Sequence, residues 1–190
     1  MLTFDNVSYC YFSKSSGLKN INFSIEKGDF VFITGPSSQY KTTILNLVYG
    51  TVLPQEGNIK IFDTILPADK KKIPLLRKKI GYIFSPPLFF EKLTVEDNLK
   101  ITLLIKSDGN FKESIDDRIK KVLSYLPEIK RDTEVYRLSA SAKEKLNILR
   151  GIISRPSLLL ADDPFKHFVK DDIQRIMDIF SEENNSGTTI

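Results

Sequence analysis

The stretch FITGPSSQYKTTILNLVYG, residues 32–50, decides the fold of this 190-residue chain. Gly35, Lys41 and Thr42 stand at the offsets of the phosphate-binding loop (P-loop) G-x-x-x-x-G-K-[ST]. In such a loop, successive backbone N–H groups point at phosphates from the N-terminus of a helix. The lysine reaches the β and γ oxygens, and the hydroxyl after it ligates Mg²⁺. The stretch therefore predicts a nucleotide-binding P-loop fold.

Two loop positions depart from this pattern. Tyr40 stands where the second glycine belongs, and Ser38 replaces a further glycine that is common in one large subclass. A left-handed backbone costs a non-glycine residue about 1 kcal/mol, and a side chain can fill the volume of the phosphates. Tyr40 could instead point outward. We expect the loop fold to survive, and nucleotide occupancy stays open.

The surrounding patterns predict an α/β chain. DFVFITG, residues 29–35, is a continuous apolar run and predicts a strand buried on both faces, followed by a helix over residues 41–49 that ends at Gly50. INFSI and GNIKIF alternate like strands of an antiparallel sheet. KKIGYIF (78–84) and PSLLLAD (156–162) predict two more buried strands. We predict one domain over 1–190, with a core of 1–92 and 155–190 and a helical insertion of 93–154.

Helical periodicity fills the insertion and returns near the end of the chain. Ser139 is a plausible N-cap of the helix that follows RLSAS. Another helix is predicted from about Asp171, with Gly187 after it. A third helix is predicted over residues 110–126, before RLSAS. Its apolar face consists of Phe111, Ile115, Ile119, Val122, Leu123 and Leu126.

Composition narrows the function classes. The net charge of +4 and 41% hydrophobic residues are typical of a globular protein, and no apolar run approaches the roughly 20 residues of a membrane span. With Cys10 as the only cysteine and no secretory pattern after Met1, we expect a reducing cytoplasm. KKKIPLLRKK, residues 70–79, is either a solvated helix face or a contact for anionic lipid or an acidic partner. Nothing beyond this run supports nucleic-acid binding.

The P-loop, the RLSAS helix and LLLADDP follow one another in the order and spacing of an ABC-transporter nucleotide-binding domain, which the whole chain resembles. Within that family it is most similar to the FtsE group of cell-division ATPases, on MLTFDNVSYCYF, PLLRKKIGYIF and LTVEDNL. The resemblance implies a P-loop NTPase fold of the ABC-ATPase type: a mixed sheet core, an N-terminal antiparallel β part and a helical subdomain. It also implies ATP and Mg²⁺ as ligands.

The resemblance assigns roles by position. Tyr11 matches the aromatic residue that stacks on adenine, although a half-buried strand tyrosine is the simpler interpretation. Thr42 and Asp162 match the Mg²⁺ ligands. The segment that matches the nucleotide-contacting loop comprises Gly35, Pro36, Ser37, Ser38, Gln39, Tyr40, Lys41, Thr42 and Thr43.

Several matched positions have lost the family residue. Asp163 falls where the family has a catalytic glutamate, and an aspartate reaches roughly 1.5 Å less far. Ser85 replaces the Q-loop glutamine and is too short to span between Mg²⁺, the attacking water and the membrane partner. The signature segment, LSGGQ in the family, keeps Ser139 but has Ala140 and Ser141 where glycines belong. Such losses typically cost about 100-fold or more in rate each, so we expect very slow or absent hydrolysis.

The resemblance also places a γ-phosphate-sensing histidine after the strand that TTI begins, so the chain is expected to lack the usual C-terminal end. His167 is at the wrong place for that role, and we interpret it as a surface loop residue.

The resemblance further implies a membrane partner of the FtsX type, docked on the helical subdomain, which would hold the chain at the inner face of the plasma membrane. Leu88, Phe89 and Phe90 predict an apolar docking patch, with a core role as the alternative. A nucleotide-dependent homodimer is also implied. The alternative function is a working ATPase subunit of a lipoprotein-release or macrolide-export transporter.

Overall fold

A computed structural model describes residues 1–11, 16–35, 37–107, 114–166 and 168–190. These residues form two compact units, which are residues 1–77 with Thr189, and residues 78–188 with Ile190. The helical insertion over 93–154 stays a prediction. Three residues named from the sequence, Phe111, Pro36 and His167, lie outside the described part of the chain.

The first unit is built on an antiparallel sheet with strand order β2-β1-β3-β4. Alternation buries one face of it: Ile59 and Ile61 are fully buried, and Phe4 stacks on Phe23 with ring centroids 4.4 Å apart. The predicted strands INFSI and GNIKIF are thus confirmed. The elements are β1 Leu2–Cys10, β2 Gly17–Ile25, α1 Ser38–Tyr49, β3 Glu56–Ile61, β4 Thr64–Leu66, a 3₁₀ turn Lys70–Lys72 and α2 Ile73–Lys78.

Helix α1 ends where the sequence predicts. Gly50 has φ of 70°, and its N–H returns to the carbonyl groups of Asn46 and Leu47. Only glycine adopts this left-handed conformation without a steric cost, which is why the helix stops there.

The strand predicted over residues 29–35 is wrong. This segment belongs to no strand, Phe32 is 65% exposed, and Phe30 stacks on Phe32 with ring centroids 5.3 Å apart. An apolar run becomes a strand only when a neighbouring strand accepts its backbone hydrogen bonds. Neither described sheet provides that neighbour, so the hydrophobicity of the run misled the prediction.

The second unit places helices around the parallel pair β5-β6, in which Ile80 to Ile83 lie beside Leu158 to Ala161. Both strands are buried, as their continuous apolar runs predict. The predicted apolar helix face is also present, with Ile119, Val122 and Leu126 buried. The elements are β5 Ile80–Ile83, α3 Val95–Ser107, α4 Ile115–Ser124, a 3₁₀ turn Val135–Arg137, α5 Ala140–Ile152, β6 Leu158–Ala161 and α6 Lys170–Asn185.

Two contacts fix α5 within this unit. A Cβ built on Gly81 of β5 would lie 2.1 Å from the carbonyl oxygen of Gly151, so only glycine permits this approach. At the C-terminal end of α5, the buried guanidinium of Arg118 donates to the carbonyl oxygens of Ile152 and Ile153 at 2.9 and 2.7 Å. Such carbonyl groups have no partner inside the helix, so a buried cation there is favourable.

Among the described residues, no helix combines the length and apolar character that a membrane crossing requires.

Candidate nucleotide site and partner-docking loop

The phosphate-loop sequence is partly wound into helix. Helix α1 begins at Ser38, three residues before the predicted start at Lys41, so Ser38, Gln39 and Tyr40 are helical. Serine and tyrosine each favour a helix by about 0.5 kcal/mol relative to glycine, which gives a physical reason for the early start. Both departures from the glycine pattern therefore lie in the part of the loop that is helical here.

The start of α1 remains suited to an anion. The first N–H groups of a helix have no intrahelical acceptor, and Ser37, the N-cap, makes no side-chain capping bond. No acidic side chain lies in the first turn. Lys41 is half-buried and has no ion-pair partner in the described ranges. Free amides, the positive end of the helix dipole and one cation together fit a phosphate group.

Tyr11 lies against this same turn. Its hydroxyl is 3.2 Å from the carbonyl oxygen of Gln39 and hydrogen-bonds to Oγ1 of Thr43, while Thr43 Oγ1 also donates to Gln39 at 2.7 Å. Its ring faces Tyr40, with centroids 6.2 Å apart and planes 21° from parallel, and meets the ring of Tyr9 edge-on. The aromatic residue matched to adenine stacking is therefore engaged by the loop itself.

This contact sets a condition for nucleotide binding. A tyrosine whose ring faces Tyr40 and whose hydroxyl is bonded to α1 has to release those groups before it stacks on a base. Such a hydroxyl contact is worth about 0.5–1.5 kcal/mol, and an aromatic pair contributes a similar amount. The turn thus has groups that fit a phosphate, but the tyrosine to which the resemblance assigns base stacking is held in another arrangement.

In the second unit, strand β6 ends in two carboxylates with different surroundings. Asp162 is buried, and its N–H extends the ladder to the carbonyl oxygen of Ile83 at 3.0 Å. Asp163 is exposed and has φ of 43°, a left-handed conformation that aspartate tolerates better than most residues. Its carbonyl accepts the N–H of Lys166 at 3.3 Å, which opens the turn after the strand.

The signature segment forms the start of α5. Ser139 is the N-cap and its side chain accepts the N–H of Ala142 at 3.2 Å, as the sequence predicts. Ser139 and Ala140 are exposed and Ser141 is half-buried. The hydroxyl of Ser139 therefore already has a structural role in this helix.

The loop over residues 85–93, which we name the docking loop, exposes apolar side chains on a fixed backbone. Leu88 and Phe90 are 64% and 60% exposed, whereas Phe89 and Ser85 are half-buried. The buried Asn98 of α3 accepts the N–H of Phe90 at 3.0 Å and donates to its carbonyl oxygen at 3.1 Å. A surface that orders its backbone while exposing large apolar groups is typical of a binding site.

Helix α5 holds the other end of the same loop. Asn147 donates to the carbonyl oxygen of Phe84 at 2.7 Å, and Arg150 donates to the carbonyl oxygen of Leu88. The guanidinium of Arg150 also lies 4.4 Å from the centroid of the Phe89 ring, in cation–π geometry. The docking loop and the signature helix are therefore directly bonded within one unit.

Sequence reasoning did not identify Asn98, Asn147 or Arg150 as functional. The signal shared by the two asparagines is a polar residue at a position where the helical period predicts burial, because such a group has to bond to backbone nearby. Asn98 is 3% exposed and Asn147 is fully buried.

Comparison of the chain with known proteins identifies its family. A family model described as ABC transporter matches residues 18–166. The chain is 31% identical over 193 residues to the cell division ATP-binding protein FtsE of Bacillus subtilis, covering 100% of this chain and 83% of that protein. It is 31% identical over 192 residues to the ergothioneine transport ATP-binding protein EgtV of Helicobacter pylori, covering 100% of this chain and 88% of that one.

Solved structures agree. The dimeric post-hydrolysis state of the ATP-binding cassette MJ0796, bound to ADP and Pi, superposes with a TM-score of 0.89 at 27% identity, covering 100% of this chain and 85% of that chain. These matches confirm the predicted fold class. The chain therefore belongs to the ABC transporter family, as an ATP-binding subunit with the P-loop fold of ABC ATPases.

Proposed function

We propose that the chain is an FtsE-like subunit that docks on an FtsX-like membrane protein in cell division or cell-wall remodelling, with ATP hydrolysis weak or lost. The main support for the proposal is the docking loop, whose backbone is hydrogen-bonded while Leu88 and Phe90 are exposed. The phosphate loop, in contrast, departs from the glycine pattern of the P-loop and is helical from Ser38. Similarity to FtsE supports the cell-division assignment.

Nucleotide binding in this proposal rests on the first turn of α1. The amides of that turn and Lys41 bind the phosphates, and Tyr11 stacks on the base after leaving Thr43 and Gln39. The family resemblance assigns Mg²⁺ to Thr42 and Asp162, where the ion would neutralise phosphate charge. Because Tyr11 is released at a cost, the affinity is expected to be lower than that of a loop whose tyrosine is unbound.

Weak hydrolysis follows from Asp163. A general base has to approach the attacking water to about 2.6–3.2 Å, and this aspartate is roughly one methylene shorter than the family's glutamate. Asp163 is therefore a poor substitute for the family's base.

Phosphate release by the purified chain with MgATP tests this part. We expect turnover near background, and Asp163→Glu should raise it at least 10-fold, whereas Asp163→Asn should not. Lys41→Ala provides the binding control, since it should abolish any residual signal. Turnover of about 1 s⁻¹ or more by the unmodified chain, in the ordinary enzyme range, would contradict the proposed loss of activity.

Docking is proposed to use Leu88 and Phe90 as apolar anchors for a short cytoplasmic helix of the membrane subunit. Fixed backbone lowers the entropic cost of binding, and large apolar groups at the centre of an interface supply most of its affinity. Co-purification with an FtsX-like protein tests it: Leu88→Ser/Phe90→Ser should abolish the complex. Phe32→Ser/Val169→Ser, at two other exposed apolar residues, is the matched control and should retain it.

Dimerisation is proposed by analogy with MJ0796, whose structures are dimeric. A nucleotide-dependent homodimer would be detected by light scattering with and without MgATP. The second candidate function is a working transport ATPase of the lipoprotein-release or macrolide-export type, and the similarity to the transport protein EgtV favours a transport role. Ordinary ATP turnover together with a transporter partner would select this alternative.

A further inference from the structure

The lysine run that begins at residue 70 forms an exposed surface with no assigned role. Lys70, Lys71 and Lys72 form a 3₁₀ turn that runs directly into α2, and all three are exposed. Lys72 pairs with Asp69 at 2.9 Å. Lys70 and Lys71 have no ion-pair partner among the residues that the structure describes. Two of the three charges are therefore uncompensated.

The carboxylate of Asp69, next to these lysines, already has two bonding partners. Oδ2 of Asp69 accepts the N–H of Ile65 at 3.0 Å, and its Oδ1 bonds to Lys72. The bond from Ile65, with a further contribution from Lys72, holds the pKa of Asp69 below its ordinary value. Asp69 thus stays ionised and fixes the turn, but it does not cancel the charges of Lys70 and Lys71.

Exposed apolar groups accompany these lysines. Leu75 is 62% exposed, although its neighbour Leu76 is buried, and it follows Lys71 by four residues. Ile65 is also exposed and is hydrogen-bonded through its backbone to Asp69 in both directions. Lys70, Lys71, Lys72, Leu75 and Ile65 therefore combine cations with apolar side chains, and we name them the basic platform.

Arg77 fixes the helix that follows the three lysines and carries Leu75. Arg77 does not contribute to the exposed charge, because Nε and Nη2 donate to the carbonyl oxygens of Tyr49 and Gly50, each at 3.0 Å. Its guanidinium also lies 4.8 Å from the centroid of the Tyr49 ring. These bonds tie α2 to the C-terminal end of α1, so the lysines and Leu75 are displayed on a fixed support.

We propose that the basic platform binds the surface of an anionic phospholipid bilayer directly, with Lys70 and Lys71 at the headgroup phosphates and Leu75 in the interfacial region. Lysines near an anionic membrane gain electrostatic attraction, and an exposed leucine beside them gains from burial among the acyl chains. The exposed lysine charges complement anionic headgroups, and the exposed leucine complements the apolar part of the bilayer. This contact requires no membrane protein.

Co-sedimentation of the purified full chain with lipid vesicles tests the proposal. We expect binding to vesicles that contain phosphatidylglycerol, weakening as salt rises, and little binding to phosphatidylcholine alone. Lys70→Glu/Lys71→Glu should weaken binding at least 10-fold. The control Lys19→Glu/Lys60→Glu makes the same change in net charge at two exposed lysines of the antiparallel sheet and should weaken it less than twofold.

Leu75→Ser separates insertion from attraction. It should weaken binding about fivefold and leave the salt dependence unchanged, because it removes apolar burial only. If the charge reversal impairs folding, as thermal unfolding would show, Lys70→Gln/Lys71→Gln replaces it with the same expected direction. Equal binding to both vesicle types, equal loss in the control, or no vesicle binding would each overturn the proposal. Since no partner protein is present, these outcomes are independent of FtsX-like docking.

Discussion

The docking loop is held by side chains from two helices, whereas the side chain that contacts the first turn of α1 comes from Tyr11, the residue directly after β1. Asn98 grips the docking loop on one side, and Asn147 and Arg150 grip it on the other. The docking loop thus has its backbone bonded while its apolar side chains stay exposed. At α1 the backbone amides stay unbonded while the side chains are engaged.

In the proposed function, this difference accounts for a chain that retains a partner surface and loses chemistry. Docking needs shape and exposed apolar area, which survive when the supporting polar residues survive. Catalysis needs donors and bases placed to within a fraction of an ångström, and glycine-to-bulky substitutions disturb such placement first. The first turn of α1 is therefore the place where restoring the family residue should have an effect.

The largest expected effect is on the docking loop. Asn98→Ala should lower the free energy of unfolding by about 2 kcal/mol, because it leaves the N–H of Phe90 without its partner and leaves the Phe90 carbonyl oxygen with the N–H of Leu93 as its remaining donor. Urea unfolding measures this. Gln174→Ala, which removes an exposed bond to Asp178, should cost less than about 0.5 kcal/mol. A loss below 1 kcal/mol for Asn98→Ala would show that the loop is not fixed by this residue.

Restoring glycines at α1 should have the next largest effect. Ser38→Gly/Tyr40→Gly should bind MgATP about 10-fold more tightly, because it removes about 1 kcal/mol of helix preference and the ring contact with Tyr11. Titration calorimetry measures the affinity. Ser38→Ala/Tyr40→Phe keeps the helix preference and the ring, so it should bind no better than the parent. Improvement in both variants would show that the early helix start does not limit binding.

A smaller gain is expected from Tyr11→Phe. This change removes the hydroxyl contacts with Gln39 and Thr43 but keeps a ring that stacks on adenine. If the nucleotide-free protein loses about 1 kcal/mol of stabilisation from these contacts, MgATP should bind about fivefold more tightly. Tyr9→Phe is the matched control and should change nothing, since the Tyr9 hydroxyl makes no hydrogen bond within the described residues. Weaker binding by Tyr11→Phe would contradict a restraining role for the hydroxyl.

Much of this fold could be predicted from the sequence because burial and periodicity are local signals. The runs KKIGYIF and PSLLLAD become paired strands, and the αL position at Gly50 ends α1 as its glycine predicts. The run over 29–35 has the same apolar signal yet forms no strand. Strand formation depends on a partner elsewhere in the chain, and a local pattern does not contain that information.

The site was predictable in its residue types and less so in its geometry. The motif locates Lys41 and the N-cap signal locates Ser139, and both residues stand at helix starts. The contact of Tyr11 with Thr43 depends on packing between segments that are 32 residues apart, so no local pattern contains it. Asn147 and Arg150 are similar cases, since their partners precede them by about 60 residues.

The smallest expected effect concerns pH and the support of the docking loop. Burial, with a further contribution from Arg150, lowers the pKa of Lys106 to about 8, and its ammonium donates to the carbonyl oxygen of Ile80. Below pH 8 this lysine is charged in both states. Between about pH 8 and 10.5 the unfolded chain binds the extra proton, so stability rises with pH in that window.

We expect the free energy of unfolding to increase by about 1 kcal/mol from pH 7 to pH 9.5. This is less than the full shift in the pKa of Lys106 implies, because solvent reaches the ammonium. Lys106→Met should lack this increase and should be more stable than the parent at pH 7, because the methionine carries no buried charge beside Arg150. Urea unfolding of both chains at the two pH values measures it, and the difference between the two chains isolates the contribution of Lys106. Arg150 holds the docking loop, so the neutral lysine should also strengthen partner binding at the higher pH, whereas MgATP affinity at α1 should follow no such trend.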